Sequence, residues 1–255
     1  MMKRFLKWNP VILLAVAAVL LLASTAGSTQ AALTYYSDNY SAEVTVSNIG
    51  MTLLENDVEI SKRNYLEDDK WDETSGTLFQ GLLAQGEELV LGKAYDEKLA
   101  VKNSGAIDAY VRVILTKSWK DAQGVKNTTL SPELIGLNLL TGENGWVIDQ
   151  KASTRERTVL YYTKVLAVDE TTPAVSDVLK IDPAVATKVV ETVEKEVTAE
   201  GKELKTITYV YEYNGYTFSV EVEVDAVQTH NAQAAIKSAW GVDVNVEEDG
   251  SLRLQ

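Results

Sequence analysis

The fold is decided by residues 206–226, TITYVYEYNGYTFSVEVEVDA. Five apolar residues in its second half alternate with small or acidic ones: Phe218, Val220, Val222, Val224 and Ala226. A period of two residues is typical of a β-strand that buries one face. Asn214 and Gly215 separate this run from a second one, Thr206–Tyr213, and Asn-Gly is strongly favoured in two-residue hairpin turns. The stretch therefore predicts a β-hairpin.

Shorter runs with the composition of strands occur along the rest of the chain. Working outward, we predict strands at Tyr40–Ser47, Gly50–Ile60 with a turn at Asn56–Asp57, Leu99–Val101, Ala109–Thr116, Trp146–Ile148, Thr158–Leu166, Val178–Ile181 and Val242–Val246. The turn at Asn103–Gly105 predicts a further hairpin. A single helix is expected at Ala232–Trp240, with Asn231 as its N-cap and Gly241 at its end. After the strand at Val242–Val246 we expect a polar tail.

About ten short strands and one helix predict an all-β protein, a jelly-roll-like β-sandwich with one short C-terminal helix. Residues 32–255 form one such domain in this interpretation. Two segments stay ambiguous. Ala184–Thr198 has valines four apart, which suits a helix, but its β-branched residues favour a strand from Lys188 on. Thr77–Ala84 is either a helical turn or a strand.

The first 31 residues have the organisation of an export signal. Lys3, Arg4 and Lys7 precede an uncharged apolar run from Val11 to Ala23. This run is shorter than the roughly 20 residues that span a bilayer, and its length is typical of a signal peptide. We therefore expect residues 1–31 to be removed and the product to be secreted, extracellular or associated with the cell surface. The alternative is an uncleaved membrane anchor.

Small residues mark the expected cleavage site. Thr29 and Ala31 suit a cut before Ala32, whereas Ala26 and Ser28 suit a cut before Thr29. Cleavage would place a strand at a free terminus, where it can pair with its own sheet or with another chain. The residues expected to carry self-assembly are Leu33, Tyr36, Tyr40, Ala42, Val44 and Val46.

Composition restricts the classes of partner. The signal contains three basic residues and no acid, so the mature chain has 21 basic and 37 acidic residues and a net charge of −16. Such a surface repels nucleic acid and anionic lipid, so we expect neither as a partner, and no membrane contact after cleavage. There is no cysteine. This excludes disulfides, thiolate metal sites and cysteine catalysis.

The sequence shows no catalytic set. Its one histidine, His230, cannot form the H-E-x-x-H pair of a zinc protease, and no G-x-S-x-G or phosphate-binding loop is present. We therefore predict no enzyme, no catalytic residue, no metal site and no cofactor. The charged stretch Ser61–Gly76 is expected to be a solvated loop. Three alternatives stay open: a calcium site among the acids of this stretch, a glycosidase pair of carboxylates, and a carbohydrate-binding face formed by aromatic residues.

Three segments also carry a family resemblance. They are Thr29–Ala32 followed by Tyr36–Asp38, Val101–Gly105 through Ala109–Val113, and Phe218–Gln228. These segments resemble the TasA/camelysin (CalY) family of exported bacterial matrix proteins, and the first is similar to that family's site for a SipW-type signal peptidase. They cover about a third of the mature chain. The region from Trp119 to Gly201 carries little of the resemblance.

The resemblance implies a function. Members of the family are jelly-roll subunits of extracellular biofilm-matrix fibres, in which the N-terminal strand of one subunit completes the sheet of the next. It implies a secreted structural protein whose partners are other copies of itself and, during export, a signal peptidase. The alternative is a cell-surface adhesin or carbohydrate-binding module. Camelysin has been described as a metalloprotease, but the missing zinc motif argues against a peptidase here.

Overall fold

The structure, a computed structural model, describes residues 48–66, 68, 70–197 and 203–255, with the backbone alone at 191–197 and 203–209. Within these residues the chain is an all-β sandwich with one short α-helix, so the predicted fold class is confirmed. The strands are antiparallel throughout, and two large sheets pack face to face.

The strands are numbered in chain order. The first ten are β1 (Gly50–Glu55), β2 (Val58–Tyr65), β3 (Trp71–Thr74), β4 (Tyr95–Asn103), β5 (Ala109–Lys120), β6 (Lys126–Asn127), β7 (Ile135–Leu139), β8 (Trp146–Ile148), β9 (Arg157–Tyr162) and β10 (Ser176–Ile181). The others are β11 (Val189–Val197), β12 (Glu203–Tyr211), β13 (Thr217–Gln228), β14 (Val244–Val246) and β15 (Leu252–Leu254). The helix α1 (Ala232–Trp240) has the predicted bounds. Short 3-10 turns at Pro132–Leu134 and Pro183–Ala186 complete the elements.

The first large sheet has the strand order β3-β2-β1-β4-β10-β7, and the second has the order β13-β5-β9-β8, with β6 on the end of β5. Apolar side chains from both sheets meet in one central cluster. Its fully buried members include Leu99 and Val101 of the first sheet and Val111, Val113 and Leu160 of the second. Burying side chains of this size stabilises the sandwich by about 1.5–3 kcal/mol each.

The two ends of the sandwich are named here by the residues at the ends of β1 and β13. At the upper end lie Gly50 and Gln228, and at the lower end lie Glu55 and Thr217. Below the central cluster, a second cluster contains Trp119, Ile135 and Tyr213. At the upper end, α1 and the β14–β15 pair cover Tyr110 and Val227 on the outer side of the second sheet.

Both predicted long-strand hairpins are wrong, although their strands exist. β4 pairs with β1 and β10, whereas β5 pairs with β13 and β9, so Asn103–Gly105 is a corner between the two sheets. The buried Asn103 amide holds this corner by donating to the carbonyls of Ile107 and Leu166. In the same way, Asn214–Gly215 joins β12, which pairs with β11, to β13, which pairs with β5.

Three further expectations change. Ser61–Gly76 is not wholly a solvated loop, because β2 continues to Tyr65 and β3 pairs with it. Asn231 lies at the helix N-cap with a left-handed φ of 53°, but its side chain makes no cap hydrogen bond. The predicted polar tail contains β15. The Asn56–Asp57 turn is confirmed, and Gly241 ends α1 with a φ of 72°.

Candidate functional site

The longest strand edge left unpaired among the described strands is the outer edge of β13. This strand has twelve residues, and among the described strands only β5 pairs with it. Its opposite edge therefore carries a row of backbone groups available to another strand. Natural sheets usually shorten, charge or cover such an edge. A free edge of this length marks β13 as a candidate docking strand.

An apolar groove lies beside this edge. The first sheet extends past β13 through β2 and β3, and the gap that it leaves encloses about 590 Å³. Six apolar residues form its walls, three from the start of the first sheet and three from β13: Ile49, Met51, Leu53, Val222, Val224 and Ala226. The three β13 residues are only partly buried. A strand laid along β13 would remove this apolar surface from water.

The rim of the groove is polar and carries opposite charges. Lys62 forms a 2.8 Å ion pair with Asp72, and Arg63 forms a 3.3 Å ion pair with Glu73. The Asp72 carboxylate, through its hydrogen bond and its charge, raises the pKa of Lys62. The guanidinium of Arg63 also lies 4.3 Å from the centre of the Trp71 ring. These pairs hold the polar strand β3 on β2 and so build the outer wall.

The groove narrows towards the lower end of β13. There it encloses about 240 Å³ between β13 and the start of an irregular segment, residues 75–94, which we call the 75–94 loop. Gly76 begins this loop against β2, where a Cβ atom would lie 2.2 Å from the carbonyl oxygen of Ile60. The ring of Phe79 lies 5.7 Å from that of Phe218 at the start of β13. The start of the loop thus narrows the lower half of the groove.

Two glutamates lie on the inner face of the first sheet behind this loop. Glu97 is 1% exposed and Glu55 is 7% exposed. Glu55 Oε1 accepts a 2.7 Å hydrogen bond from the backbone N–H of Phe79. Burial, together with the neighbouring Glu55 carboxyl, raises the pKa of Glu97 to about 8. Glu97 therefore holds its proton at neutral pH.

The sequence pattern indicates that Glu55 and Glu97 are buried, although the strand prediction did not consider them. Each occupies an inward position of an alternating strand, in line with Met51 and Leu53 or with Tyr95 and Leu99. An acid at such a position is unusual, because burying a carboxylate costs several kcal/mol in typical proteins. Burial of Glu55 and Glu97 was therefore predictable from the period of two, but their proximity depends on how β1 pairs with β4.

A second cleft, of about 460 Å³, lies on the outer face of the second sheet beside α1. Arg112, Arg157, Tyr161 and Trp240 contribute to its walls. The ring of Trp240 lies 5.4 Å from that of Tyr161 and 5.3 Å from the guanidinium carbon of Arg112. The cleft therefore combines aromatic surface with cationic groups.

The site residues predicted from the sequence all lie outside the described part of the chain. This holds for the cleavage-site residues Thr29, Ala31 and Ala32 and for the assembly residues Leu33, Tyr36, Tyr40, Ala42, Val44 and Val46. The first described residue is Asn48, whose backbone carbonyl accepts a 2.7 Å hydrogen bond from the backbone N–H of Ala106. The next residue, Ile49, lines the groove. Ile49, which follows the expected assembly segment in the sequence, thus lies at the upper end of the groove.

The acids considered for calcium are partly described. Asp72 and Glu73 form the ion pairs with β2, whereas Glu67 and Asp69 lie outside the described residues. Across the described ranges, His, Asp and Glu side chains form no group of three that would suit a metal ion. In the same part of the chain, no helix has the length and apolar character needed to cross a bilayer.

Comparison with known proteins adds no assignment. No family model matches the chain, and no curated protein or solved structure matches it.

Proposed function

We propose that this chain is a secreted structural protein that assembles into extracellular matrix fibres by strand addition. In this proposal, the segment Leu33–Val46 of one copy pairs with the free edge of β13 in the next copy. The observation that carries it is the twelve-residue edge of β13, which no described strand pairs with, beside an apolar groove. The resemblance to the TasA/camelysin family supports the same function. The proposal assigns no catalytic activity and no cofactor.

The predicted donor strand matches the groove in its apolar pattern and is shorter than β13. Tyr40, Ala42, Val44 and Val46 form one apolar face, which would meet the groove walls, while Glu43 and its polar neighbours would face water. The eight residues from Tyr40 to Ser47 would span about 26 Å, and β13 spans about 40 Å. Backbone hydrogen bonds would provide affinity, and the alternate side chains would provide specificity.

Strand direction favours another copy as the acceptor. β1 runs downward from Gly50, and β13 runs upward to Gln228, with the groove between them. A strand that ended at Asn48 and occupied the groove of its own chain would have to run parallel to β13 and reverse within two residues. A strand from another copy can approach in the antiparallel direction, which is the more stable pairing.

Such a contact would join two different surfaces, the N-terminal segment of one copy and the β13 groove of the next. An interface of this kind does not close on itself unless the rotation between copies happens to form a ring, so it generates open filaments. This agrees with a structural role in a matrix outside the cell.

The test compares the expected mature chain, residues 32–255, with a chain that begins at Asn48. We expect the longer chain to form fibres, detected by light scattering and electron microscopy, and the shorter chain to remain monomeric. A synthetic peptide of residues 33–49 should bind the shorter chain and block fibre growth of the longer one. Equal growth of the two chains would refute strand addition by this segment.

The second cleft favours one other function. An aromatic ring beside guanidinium groups is suited to a glycan, because sugar rings stack on aromatic faces and their acidic groups pair with arginine. A cell-surface carbohydrate-binding module is therefore the alternative. Binding on a glycan array that is lost in Trp240→Ala and Arg157→Ala would support it. Arg155→Ala is the control, because Arg155 pairs with Glu133 and does not line the cleft.

A further inference from the structure

The start of the 75–94 loop borders the lower half of the groove, and apolar side chains anchor the loop to the core. Leu78 packs against the central cluster, and Phe79, Leu82, Leu89 and Leu91 pack against the lower cluster. The wide part of the groove reaches only from Val222 to Ala226 on β13. Those five residues span about 17 Å, whereas a donor strand of eight residues needs about 26 Å. Full docking therefore requires the start of the loop to move away from β13.

In addition to the packing of Leu78 and Phe79, one side-chain hydrogen bond ties the start of this loop to β1. The backbone N–H of Phe79 donates to Glu55 Oε1 at 2.7 Å, and Phe79 has a left-handed φ of 69°. That conformation is unfavourable for a residue with a side chain, and it persists only where the surroundings hold it. The later part of the loop has separate anchors, because Gly92 donates to the carbonyl of Ile181 and Val90 donates to the Tyr95 hydroxyl. The Glu55 carboxylate therefore holds specifically the part beside the groove.

Glu55 is held in turn by Glu97. The two side chains share the inner face of the sheet, since Glu55 pairs with Leu99 and Glu97 lies two residues before it. Glu97 sits at an irregularity in the β4–β10 pairing, where its carbonyl accepts a hydrogen bond from the Ser176 hydroxyl. Glu55 lies close enough to the Glu97 carboxyl to raise its pKa, and Glu97 Oε1 has no hydrogen-bond partner among the described residues. A neutral carboxyl can donate to a carboxylate, but two carboxylates repel each other.

We propose that Glu55 and Glu97 form a proton-dependent lock on the docking groove. While Glu97 carries its proton, it donates to Glu55, and Glu55 holds Phe79 and the loop over the lower half of β13. When Glu97 loses that proton to solvent, the two carboxylates repel each other. Glu55, at the end of β1 and nearer to solvent, turns outward and releases Phe79, which opens the groove along the whole of β13. This inference rests on the proposed function in one respect only, which is that the opened groove receives the N-terminal segment of another copy.

The surroundings of the pair favour a proton over a metal ion. Among the described titratable groups, only Glu55 acts electrostatically on Glu97. The nearby cation Lys98 points away and pairs with Asp57 at 2.6 Å, and from β10 and the loop the pair meets the neutral groups of Ser176 and Phe79. Calcium takes six to eight oxygen ligands in typical sites, and this pair has no third acidic ligand in the described part of the chain.

The lock can be tested on the monomer by hydrogen exchange. We expect the protection factors of amides in residues 77–89, corrected for intrinsic exchange, to fall at least tenfold between about pH 6.5 and pH 9.5. In Glu97→Gln, which keeps the shape of the side chain and cannot ionise, the same amides should keep their protection. Glu88→Gln removes an exposed acid from the same loop and should behave like the wild type.

Three results would overturn the lock. They are constant protection in the wild type over this range, an equal loss of protection in Glu97→Gln, and restoration of protection at pH 9.5 by millimolar calcium, which would identify a cation site. If Glu97→Gln does not fold, infrared spectroscopy of the wild type decides. A protonated carboxyl band that disappears near pH 8 supports the lock, and the absence of such a band at neutral pH refutes it.

Assembly provides a separate measurement. We expect fibres of the wild type to nucleate faster above about pH 8, and those of Glu97→Gln to nucleate at a rate independent of pH over the same interval. If the loop opens with pH but fibres form under no condition, the proposed function fails and the lock stands. If fibres form equally well at each pH while the loop stays protected, the lock fails and the proposed function stands.

Discussion

Arg112 and Asp225 lie directly opposite each other on β5 and β13, and the guanidinium donates to Asp225 Oδ2 from Nε at 2.9 Å and from Nη2 at 2.5 Å. The two side chains are only 14% and 28% exposed. Because Asp225 also lines the groove, this pair fastens the docking strand to its sheet at the site itself. It therefore links the stability of the fold to the shape of the proposed acceptor.

Replacing this pair should destabilise the sandwich. Asp225→Asn keeps the size of the side chain but removes the charge that Arg112 meets, and we expect it to lower the free energy of unfolding by about 1.5–3 kcal/mol. Denaturant unfolding measures the effect. Glu221→Gln is the control, because the Lys120–Glu221 pair joins the same two strands with Glu221 62% exposed, and its loss should cost less than about 1 kcal/mol. Equal effects would show that the buried pair contributes nothing special.

The corner that precedes β5 should not tolerate a side chain at Gly105. A Cβ atom there would lie 2.4 Å from the backbone nitrogen of Gly50 and 2.5 Å from the carbonyl oxygen of Asn48. We therefore expect Gly105→Ala to lower thermal stability by several degrees and to displace the point at which the N-terminal segment leaves the fold. Gly81→Ala, where no atom lies within 4 Å of the added carbon, should be neutral. A wild-type melting temperature for Gly105→Ala would contradict this close packing.

The stability of the fold should depend on pH through Glu97. Its pKa is raised from the ordinary value of 4.5 to about 8, so between these values the unfolded chain has lost a proton that the folded chain retains. Raising the pH across this interval therefore favours unfolding, by up to about 1.4 kcal/mol per pH unit for one such group. The free energy of unfolding of Glu97→Gln, relative to the wild type, should rise from pH 4.5 to pH 8 and then level off.

This difference can be measured by urea unfolding at a series of pH values. Glu88→Gln serves as the matched variant, and its difference from the wild type should stay flat. A flat difference for Glu97→Gln as well would mean that Glu97 is ionised in the folded protein at neutral pH.

The positions of the strands were largely predictable from the sequence, but their partners were not. Alternation at Phe218–Ala226 predicted β13 because burial of one face imposes a period of two on a single segment. Pairing depends on residues far away in the chain. The Asn214–Gly215 turn favoured a hairpin between β12 and β13. Instead, β13 pairs with β5 over twelve residues and β12 pairs with β11 over nine. The backbone hydrogen bonds of these long pairings outweigh the local preference of the turn.

One wall of the groove, strand β3, could not be predicted from the sequence either. β3 was missed because Trp71–Thr74 has no apolar face, and it is held by the ion pairs of Lys62 and Arg63 across the strands. Alternation cannot detect an edge strand of this kind. The expected assembly strand lies outside the described residues, so its pairing with the β13 edge stays a prediction.

Cysteine cross-linking tests the central claim most directly, because the chain contains no cysteine of its own. Mature chains with Val44→Cys are mixed under oxidising conditions with chains that carry Val222→Cys, Val224→Cys or Ala226→Cys. Val125→Cys, 62% exposed on the turn between β5 and β6, replaces the β13 variants in the control. We predict disulfide-linked dimers with at least one β13 variant and none with the control. Formation of a bond only within single chains that carry both substitutions, with no linked dimers, would contradict strand exchange between copies.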